Sequence, residues 1–575
     1  MEQTKRLPYG VCDFRSVREE NLYYVDKTMY LSKLEEVGRF LFFIRPRRFG
    51  KSLFLSMMRA YYDKSMCGHF QQLFDGLWAG QHPTPTQGRY QVMYFDFSRV
   101  TGDSDTLEED FNAYCRACVM GFIDQYADDY PAETVAQVKA LRNAREQLNI
   151  INIAAQKLHL PLYLIVDEYD NFTNVVLNKQ GEDVYRAITH ADGFYRGVFK
   201  LFKGMFERIF LIGVSPVTLD DLTSGFNIAL NVSTDFRFND MLGFTTDDVR
   251  QLIAYYKDNG RLPETCDVEA TLEAMKPWYD NYCFSNRQLE KESRVFNPDM
   301  TLNYLNIYIG TGAPPEQMLD PNTKTDYNKM RRLLQLDTLS GERRSVIRKI
   351  AEEGQIVGTI ADSFPANKLT DPNMFISLLF YYGMLTIRDT RGAALVLGIP
   401  NNNVRKQYYS YLMEEYQRHV PCDEMQLAEL YYLMAYEGNW QQALGYIAER
   451  YSHLSSVRDS IEGERNIQGF FLAYLNLSPY YLTAPELELS HGFCDFFLLP
   501  DLTRYPSSHS YILELKYLPH KDYADRAEAQ WAKAVQQIHK YAQAPRVEQL
   551  RQGTHLHKII MQFEGWELRR MEEIL

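Results

Sequence analysis

Residues Phe42–Leu53 read FFIRPRRFGKSL: an apolar run enters a basic turn and leaves it as a helix beginning near Leu53. A strand-to-helix turn of this kind aims several backbone N–H groups at one point, where the helix N-terminus also favours an anion. Gly50 lets the backbone approach a phosphate, Lys51 supplies a mobile positive charge for its outer oxygens, and the Ser52 hydroxyl suits Mg2+. The phosphate-cradling pattern G-x-x-x-x-G-K-[ST] is broken at its first position, where this chain has Arg45.

A second stretch completes the chemistry. LYLIVDE at Leu162–Glu168 is an apolar strand ending in two acids. The carboxyl end of a parallel strand lies at the ligand edge of its sheet, so Asp167 is placed to hold the metal. Glu168 is placed to polarise an attacking water as general base. A third run, Ile209–Val214, ends at Ser215, which either contacts the γ-phosphate or water or caps the turn. Arg237 is a candidate arginine finger. The runs Phe40–Ile44, Val92–Phe97, Leu162–Val166 and Ile209–Val214 are separated by helical-period stretches at Leu53–Tyr62, Leu107–Tyr126, Ala132–Leu158 and Asp183–Phe206. Strands alternating with amphipathic helices predict an α/β fold with a parallel sheet.

Several quoted motifs resemble the bacterial AAA-ATPase-like family: YYVDKT at Tyr23–Thr28, RPRRFGKS at Arg45–Ser52, LIVDEYD at Leu164–Asp170, GVSP at Gly213–Pro216 and WYDNYCF at Trp278–Phe284. The resemblance covers roughly Leu7–Asn297 and continues loosely to Ile399–Asn401; Arg45 in place of the first glycine is itself the look of that family. It implies a P-loop NTPase-type domain that binds ATP, with Arg45, Arg48, Phe49, Gly50, Lys51, Ser52, Leu53, Asp167 and Ser215 around the nucleotide. Ser52 and Asp167 then hold its Mg2+.

Beyond Thr245 the pattern turns helical, with stretches at Thr245–Asn259, Asp267–Tyr279, Met300–Tyr308 and Thr325–Gln335. Met374–Ile387 and Ala393–Ile399 then suggest a helix followed by a hairpin. The organisation expected is 1–240 for the P-loop domain, 241–403 for a helix-rich connector or lid, and 404–575 for a third, α/β or α+β domain.

That third block carries the second constellation. Asp495 sits in FCDFFLL (Phe493–Leu499), and Glu514 and Lys516 sit in YILELKYL (Tyr511–Leu518). Residues i and i+2 of a strand share a face, so Glu514 and Lys516 project together, and Asp495 joins them if the strands pair. Two carboxylates with the Leu515 carbonyl suit Mg2+, with Mn2+ as a substitute. Lys516 can orient or deprotonate the water that attacks a phosphodiester. Glu464 and Glu488 are further acids, and Gln537 and Tyr541 share one helix face. The competing reading of Glu514 and Lys516 is a surface ion pair.

Asp495, Glu514-x-Lys516 and Gln537-x-x-x-Tyr541 resemble the PD-(D/E)XK nuclease superfamily, in the version found C-terminal to AAA-ATPase-like domains, over about Ile461–Phe563. The resemblance implies a restriction-endonuclease-like α/β domain. In it Asp495 and Glu514 are metal ligands, Lys516 is the catalytic lysine, and Gln537 and Tyr541 are supporting. Relatives often show G-R-x-D before the first acid; here the run is Gly492, Phe493, Cys494, Asp495, without the arginine.

The whole chain of 575 residues has 62 Lys and Arg against 75 Asp and Glu, a net charge of −13, which argues against a nucleic-acid coat protein but not against a local groove. The start MEQTKRLPYG lacks a signal-peptide core, and Met374–Ile387, the longest apolar stretch, is interrupted by Ser377, Gly383 and Thr386. The eight cysteines read as reduced and buried, the Cys115/Cys118 pair included. A cytoplasmic protein without membrane contact is expected, free to form a homo-oligomer. Its expected partner is nucleic acid, DNA rather than RNA. The expected function is an ATP-binding, hydrolysing P-loop protein coupled to a Mg2+-dependent nuclease-type domain. The alternative is a nucleotide-dependent switch or scaffold whose nuclease-like domain is inactive and binds a partner.

Overall fold

The computed structural model describes residues 3–100, 106–190, 193–217, 229–291, 293–315, 318, 341–456, 463–489, 492–502 and 504–575. The helix expected at Thr325–Gln335 lies outside them. The chain forms two compact units, one of residues 1–343 and 357–401, the other of 344–356 and 402–575.

In the first unit the apolar runs become a five-stranded sheet: β1 (Phe40–Ile44), β2 (Gln91–Asp96), β3 (Leu162–Asp167), β4 (Arg208–Gly213) and β5 (Leu230–Asn231). The order is β2-β3-β4-β1-β5, and every pairing is parallel. A strand buried on both faces must be apolar throughout, and all six residues of β3 are buried. The β2–β3 register sets Asp96 against Asp167, so two acids stand side by side at the carboxyl edge.

Two of the long helical stretches are broken. The run expected at Ala132–Leu158 is two helices, Ala132–Ala140 and Ala144–Lys157, because the Asn143 side chain accepts from the Arg145 and Glu146 amides and starts a new helix. The run expected at Asp183–Phe206 is also two, Glu182–Thr189 and Phe194–Met205. At Gly193 a Cβ would lie 2.2 Å from the Ile188 carbonyl oxygen, a close approach that only glycine permits.

The region after residue 241 is helical, with Thr246–Asp258, Val268–Tyr279 and Pro298–Thr311. β6 (Phe244–Thr245) pairs with β7 (Val295–Phe296). β8 (Gln355–Gly358) lies where the chain re-enters the first unit. The helix expected to run to Ile387 is Pro372–Tyr381; the chain then turns through Gly383 (φ +77°) into the hairpin of β9 (Thr386–Arg391) and β10 (Ala394–Gly398). This region reaches the phosphate turn. Phe49 packs edge-on against Tyr282 and Phe284, at 5.0 and 5.7 Å between ring centroids.

The second unit is built on β11 (Tyr481–Leu489), β12 (Gly492–Pro500), β13 (His509–Leu518), β14 (His555–Glu564) and β15 (Glu567–Glu573), in that spatial order. Only β13–β14 is parallel. The His520–Ala542 helix makes the crossover and lays Trp531, Ala534, Ile538 and Tyr541 on a core with Cys494, Phe497, Ile512 and Ile560. The pattern did not reveal β15: ELRRMEE is a polar edge strand with no apolar alternation.

Gly383 ties the middle region to the phosphate turn, since a Cβ there would lie 2.7 Å from Pro46 Cγ and the residue is left-handed. Gly383→Ala is therefore expected to destabilise the first unit by about 2–4 kcal/mol and to weaken nucleotide binding. Denaturant melts and nucleotide titrations check this; an unchanged midpoint contradicts it.

Candidate functional site

The Lys51–Tyr62 helix follows directly on Gly50, which takes φ +85°, while Arg48 takes φ +66°. No neighbour crowds a Cβ at Gly50, so the glycine serves the left-handed turn rather than a tight fit. Beside this turn opens a cavity of about 640 Å3, within the range of small-molecule sites. Arg48, Phe49, Gly50, Lys51, Ser52 and Leu53 line one wall and Asp167 and Glu168 another. Tyr23, Tyr24, Val25 and Lys27 of the YYVDKT motif also line it, as does an apolar patch of Leu242, Phe244, Pro298 and Leu302.

The two halves of the expected phosphate site meet through one hydrogen bond: Ser52 Oγ donates to Asp167 Oδ2 at 2.7 Å. Burial raises the Asp167 carboxyl to about 6, against the lowering effect of that bond. Its other oxygen, Oδ1, is buried without a hydrogen-bond partner among the described residues. Lys51 is folded over its own turn, donating to the carbonyls of Arg45 and Pro46 at 3.3 and 3.0 Å. Burial lowers its pKa, and Glu168 and Asp167 oppose that. Arg48 pairs with Asp299 at 2.5 Å, and both line the cavity.

Arg45 faces elsewhere. It is 1% exposed, sandwiched 4.2 Å from the Phe43 ring centroid and 4.0 Å from that of Phe284. Its guanidinium donates to the carbonyls of Ile44, Ser233 and Phe238. Burial brings its pKa down to about 9. Arg45 does not line the cavity; it braces the strand end from which the phosphate turn springs.

Ser215 is likewise off the cavity, with its amide bonded to Asp170 Oδ2, its carbonyl accepting from Tyr169 Oη and its hydroxyl accepting from the Val217 amide. Asp170, buried and raised to about 6 by desolvation, also accepts from the Val214 amide. A Cβ at Gly213 would lie 2.3 Å from Asp170 Oδ1, which explains why GVSP must begin with glycine opposite the last acid of LIVDEYD. Arg237 pairs with Asp235 at the surface, away from the cavity. Asp96, Lys27 and Arg47 line the cavity and were not singled out from the sequence; an acid closing an apolar run, as Asp167 does, was the available signal for Asp96.

In the second unit β12 and β13 pair with Phe496 opposite Leu513, and the same register carried one step further brings Asp495 to Glu514. The Leu515 amide donates to Asp495 Oδ2 at 2.6 Å, and Gln468 Nε2 donates to Asp495 Oδ1 at 2.8 Å. Lys516 Nζ donates to Glu514 Oε1 at 2.6 Å, while Glu514 Oε2 is buried with no partner among the described residues. Burial raises both carboxyls; beside Asp495, Glu514 reaches about 7. Lys516 is lowered by burial but raised more by Glu514 and Asp495, and stays a cation. This is a buried cluster, not the surface ion pair of the competing reading.

The remaining expected residues fall around it. The Tyr541 phenol is raised by burial and then by Glu514, and Gln537 lies one turn before it on the same helix. Glu464 opens the Glu464–Leu475 helix at the exposed rim, its carboxyl raised by desolvation and lowered by Lys516. The Glu488 side chain lies outside the described residues. Gln468 was missed, although it stands one helical turn from Glu464.

These geometries define a cavity beside a P-loop-type turn in one unit and an acid–acid–lysine cluster on a strand pair in the other. Residues 8–223 match the family model described as "Predicted AAA-ATPase", and residues 462–573 match that of the PD-(D/E)XK nuclease superfamily. The chain thus carries an AAA-ATPase-like domain and a PD-(D/E)XK nuclease superfamily domain, domain types that generally use nucleotide and divalent metal. A relative from Azotobacter chroococcum mcd 1, described as "Uncharacterized protein in vnfD 5'region", is 28% identical over 330 residues, which are 54% of this chain and 55% of that one. The chain thus spans about half the length of this curated relative. Among the described residues no helix is long and apolar enough to cross a membrane.

The raised Glu514 pKa sets a pH dependence. Unfolded, the carboxyl titrates near 4.5; folded, near 7. Between these values the native state binds the extra proton, so this contribution to stability is full below about pH 4.5 and is lost as pH rises through about 7. In chelator, the melting temperature of the nuclease domain should fall from about pH 5 to about pH 8, and Glu514→Gln should flatten that fall. An equally steep fall in the variant contradicts the assignment.

Proposed function

We propose that this protein binds ATP in its first unit and cleaves DNA with its second, in a reaction that needs Mg2+ or Mn2+ and responds to the nucleotide. The observation that carries this reading is that the buried Glu514 Oε2, next to Asp495, has no partner among the described residues. An ionised carboxylate pair in that position calls for a cation, and the all-oxygen donor set fits a hard divalent metal. Asp495, Glu514 and the Leu515 carbonyl would hold it. When bound, the metal neutralises the charge that develops on the phosphodiester.

The chain's own residues do the rest. Gln468 and the Leu515 amide fix the Asp495 carboxylate, so that it does not rotate away as Glu514 changes protonation. Lys516 keeps its proton in the resting site and is positioned by Glu514 to orient the attacking water. Gln537 and Tyr541 support the cluster from the crossover helix. In the first unit the turn amides after Gly50 and the Lys51 ammonium receive the phosphates. Ser52 and Asp167 would hold Mg2+, which the unpartnered Asp167 Oδ1 favours, and Glu168 would polarise water for hydrolysis. Arg45 acts as a brace for this turn rather than as a ligand. The division into a P-loop domain (1–240), a connector (241–403) and a nuclease-like domain (404–575), a cytoplasmic location and homo-oligomer formation complete the proposal.

The second reading is a switch or scaffold with a silent nuclease-like domain; what favours it is Phe493, which stands where relatives place an arginine. The test separates the two. Lys516→Ala should reduce metal-dependent cleavage of DNA by about 10^2–10^4-fold while the protein stays folded. Lys51→Ala should weaken ATP binding by about 10–100-fold and leave basal cleavage intact. A wild-type chain that binds ATP yet cleaves nothing with either metal favours the scaffold.

A further inference from the structure

A second cluster of metal-ligating side chains lies in the same sheet as the acid–acid–lysine site, on its other face. His509 and Tyr511 alternate with Ser510, Ile512 and Glu514 along β13, so the histidine points away from the Glu514 face. His509 pairs with His555 and Tyr511 with His557 in the β13–β14 register, and Glu573 lies across from Ile559 on β15. Two adjacent strands, β14 and β15, thereby bring His555, His557 and Glu573 to one place, centred at the register of Tyr511, roughly 10 Å along β13 from Glu514 at about 3.3 Å per residue and on the opposite face. Ligand atoms of the three residues all lie within 4.8 Å of one another.

We propose that His555, His557 and Glu573 form a second divalent-metal site, distinct from the nuclease cluster and suited to an ion of the zinc class. The donor set of two imidazoles and one carboxylate is nitrogen-rich and unlike the all-oxygen set around Glu514, so the two sites sort metals by hardness. The partners around the donors are those of a ligating set. His557 Nδ1 stands 2.7 Å from Glu573 Oε1, while its other nitrogen, Nε2, is 2.9 Å from His509 Nδ1. Trp440 Nε1 donates to the second Glu573 oxygen at 3.2 Å. A ligating imidazole characteristically has its free nitrogen hydrogen-bonded, and a ligating carboxylate its free oxygen.

The ring positions are fixed as well. Gly438, at φ +70°, comes so close that a Cβ would lie 2.8 Å from His509. The Tyr511 ring stacks on His557 at 4.7 Å. His555 is exposed, and its imidazole has no hydrogen bond among the described residues; it meets only the rings of His509 and His557, at 6.0 and 4.6 Å. A brace made of hydrogen bonds alone would need His509, His557, Glu573 and Trp440, but not His555. With three protein ligands and an exposed side, the site leaves a coordination position open to solvent.

Co2+ is the probe, because imidazole and carboxylate in a low-coordinate site give it intense visible bands that an octahedral oxygen site lacks. The titration uses the full chain carrying Asp495→Asn and Glu514→Gln, without nucleotide, so that neither site of the proposed function contributes. One equivalent of Co2+ should bind with such bands, and Zn2+ should displace it stoichiometrically. His555→Ala, at an exposed position, should weaken Co2+ binding by more than about tenfold with unchanged circular dichroism, while Trp440→Phe should weaken it by about tenfold and keep the bands. No visible bands in the folded chain, or bands and affinity indifferent to His555→Ala, would overturn the proposal and leave the cluster a hydrogen-bonded brace.

Discussion

A carboxylate taken out of water needs every oxygen answered, and each domain holds an acid with one oxygen that no described residue answers. In the nuclease domain, Asp495 is answered twice, by Gln468 and by the Leu515 amide, while among the described residues Glu514 is answered on one oxygen only, by Lys516. In the AAA-ATPase-like domain, Asp167 is answered by Ser52 on one oxygen and by none of the described residues on the other. The raised carboxyls at both places express the same cost: burial first, and a neighbouring acid after it, disfavours the ionised form. Strand pairing creates the situation in each case. The β2–β3 register aligns Asp96 with Asp167, and the β12–β13 register draws Asp495 to Glu514.

What keeps these acids in place is mostly apolar and backbone structure. The nuclease cluster rests on a core that the crossover helix closes with Trp531, Ala534 and Ile538. The phosphate turn rests on Arg45, whose charge is spent on three carbonyls and two aromatic rings. Where the usual pattern has a glycine for a close-fitting loop, this chain has a long side chain that turns inward and ties β1 to the segments at Ser233, Phe238 and Phe284. The same turn is held from the far side by Phe49 against Tyr282 and by Gly383 against Pro46. The WYDNYCF motif is thus part of the scaffold of the Gly50 turn although it lies far from it in sequence.

Much of this was legible in the residues. FFIRPRRFGKSL and LYLIVDE fixed a strand, a turn, a helix and a strand-end acid, because apolar runs and glycine punctuate the chain there without ambiguity. Asp495, Glu514 and Lys516 were legible because charge inside an apolar alternating run is conspicuous. The directions of Arg45 and Ser215 were not, since a sequence shows that a side chain can meet phosphate but not that three carbonyls or a buried aspartate compete for it. The breaks at Asn143 and Gly193 depended on a cap and on one backbone contact, neither visible in periodicity. The histidines of β13 and β14 drew no notice because they are far apart in sequence and meet only through the parallel register and a polar edge strand.

The most direct measurement is Mn2+ binding to the full chain by electron paramagnetic resonance, with and without ATP. The account predicts one oxygen-ligated Mn2+ in the absence of nucleotide, lost in Glu514→Gln, and a second that arrives with ATP and is lost in Asp167→Asn. A folded chain that binds no Mn2+, or whose binding is indifferent to both substitutions, would contradict the claim that the unanswered carboxylate oxygens are metal seats.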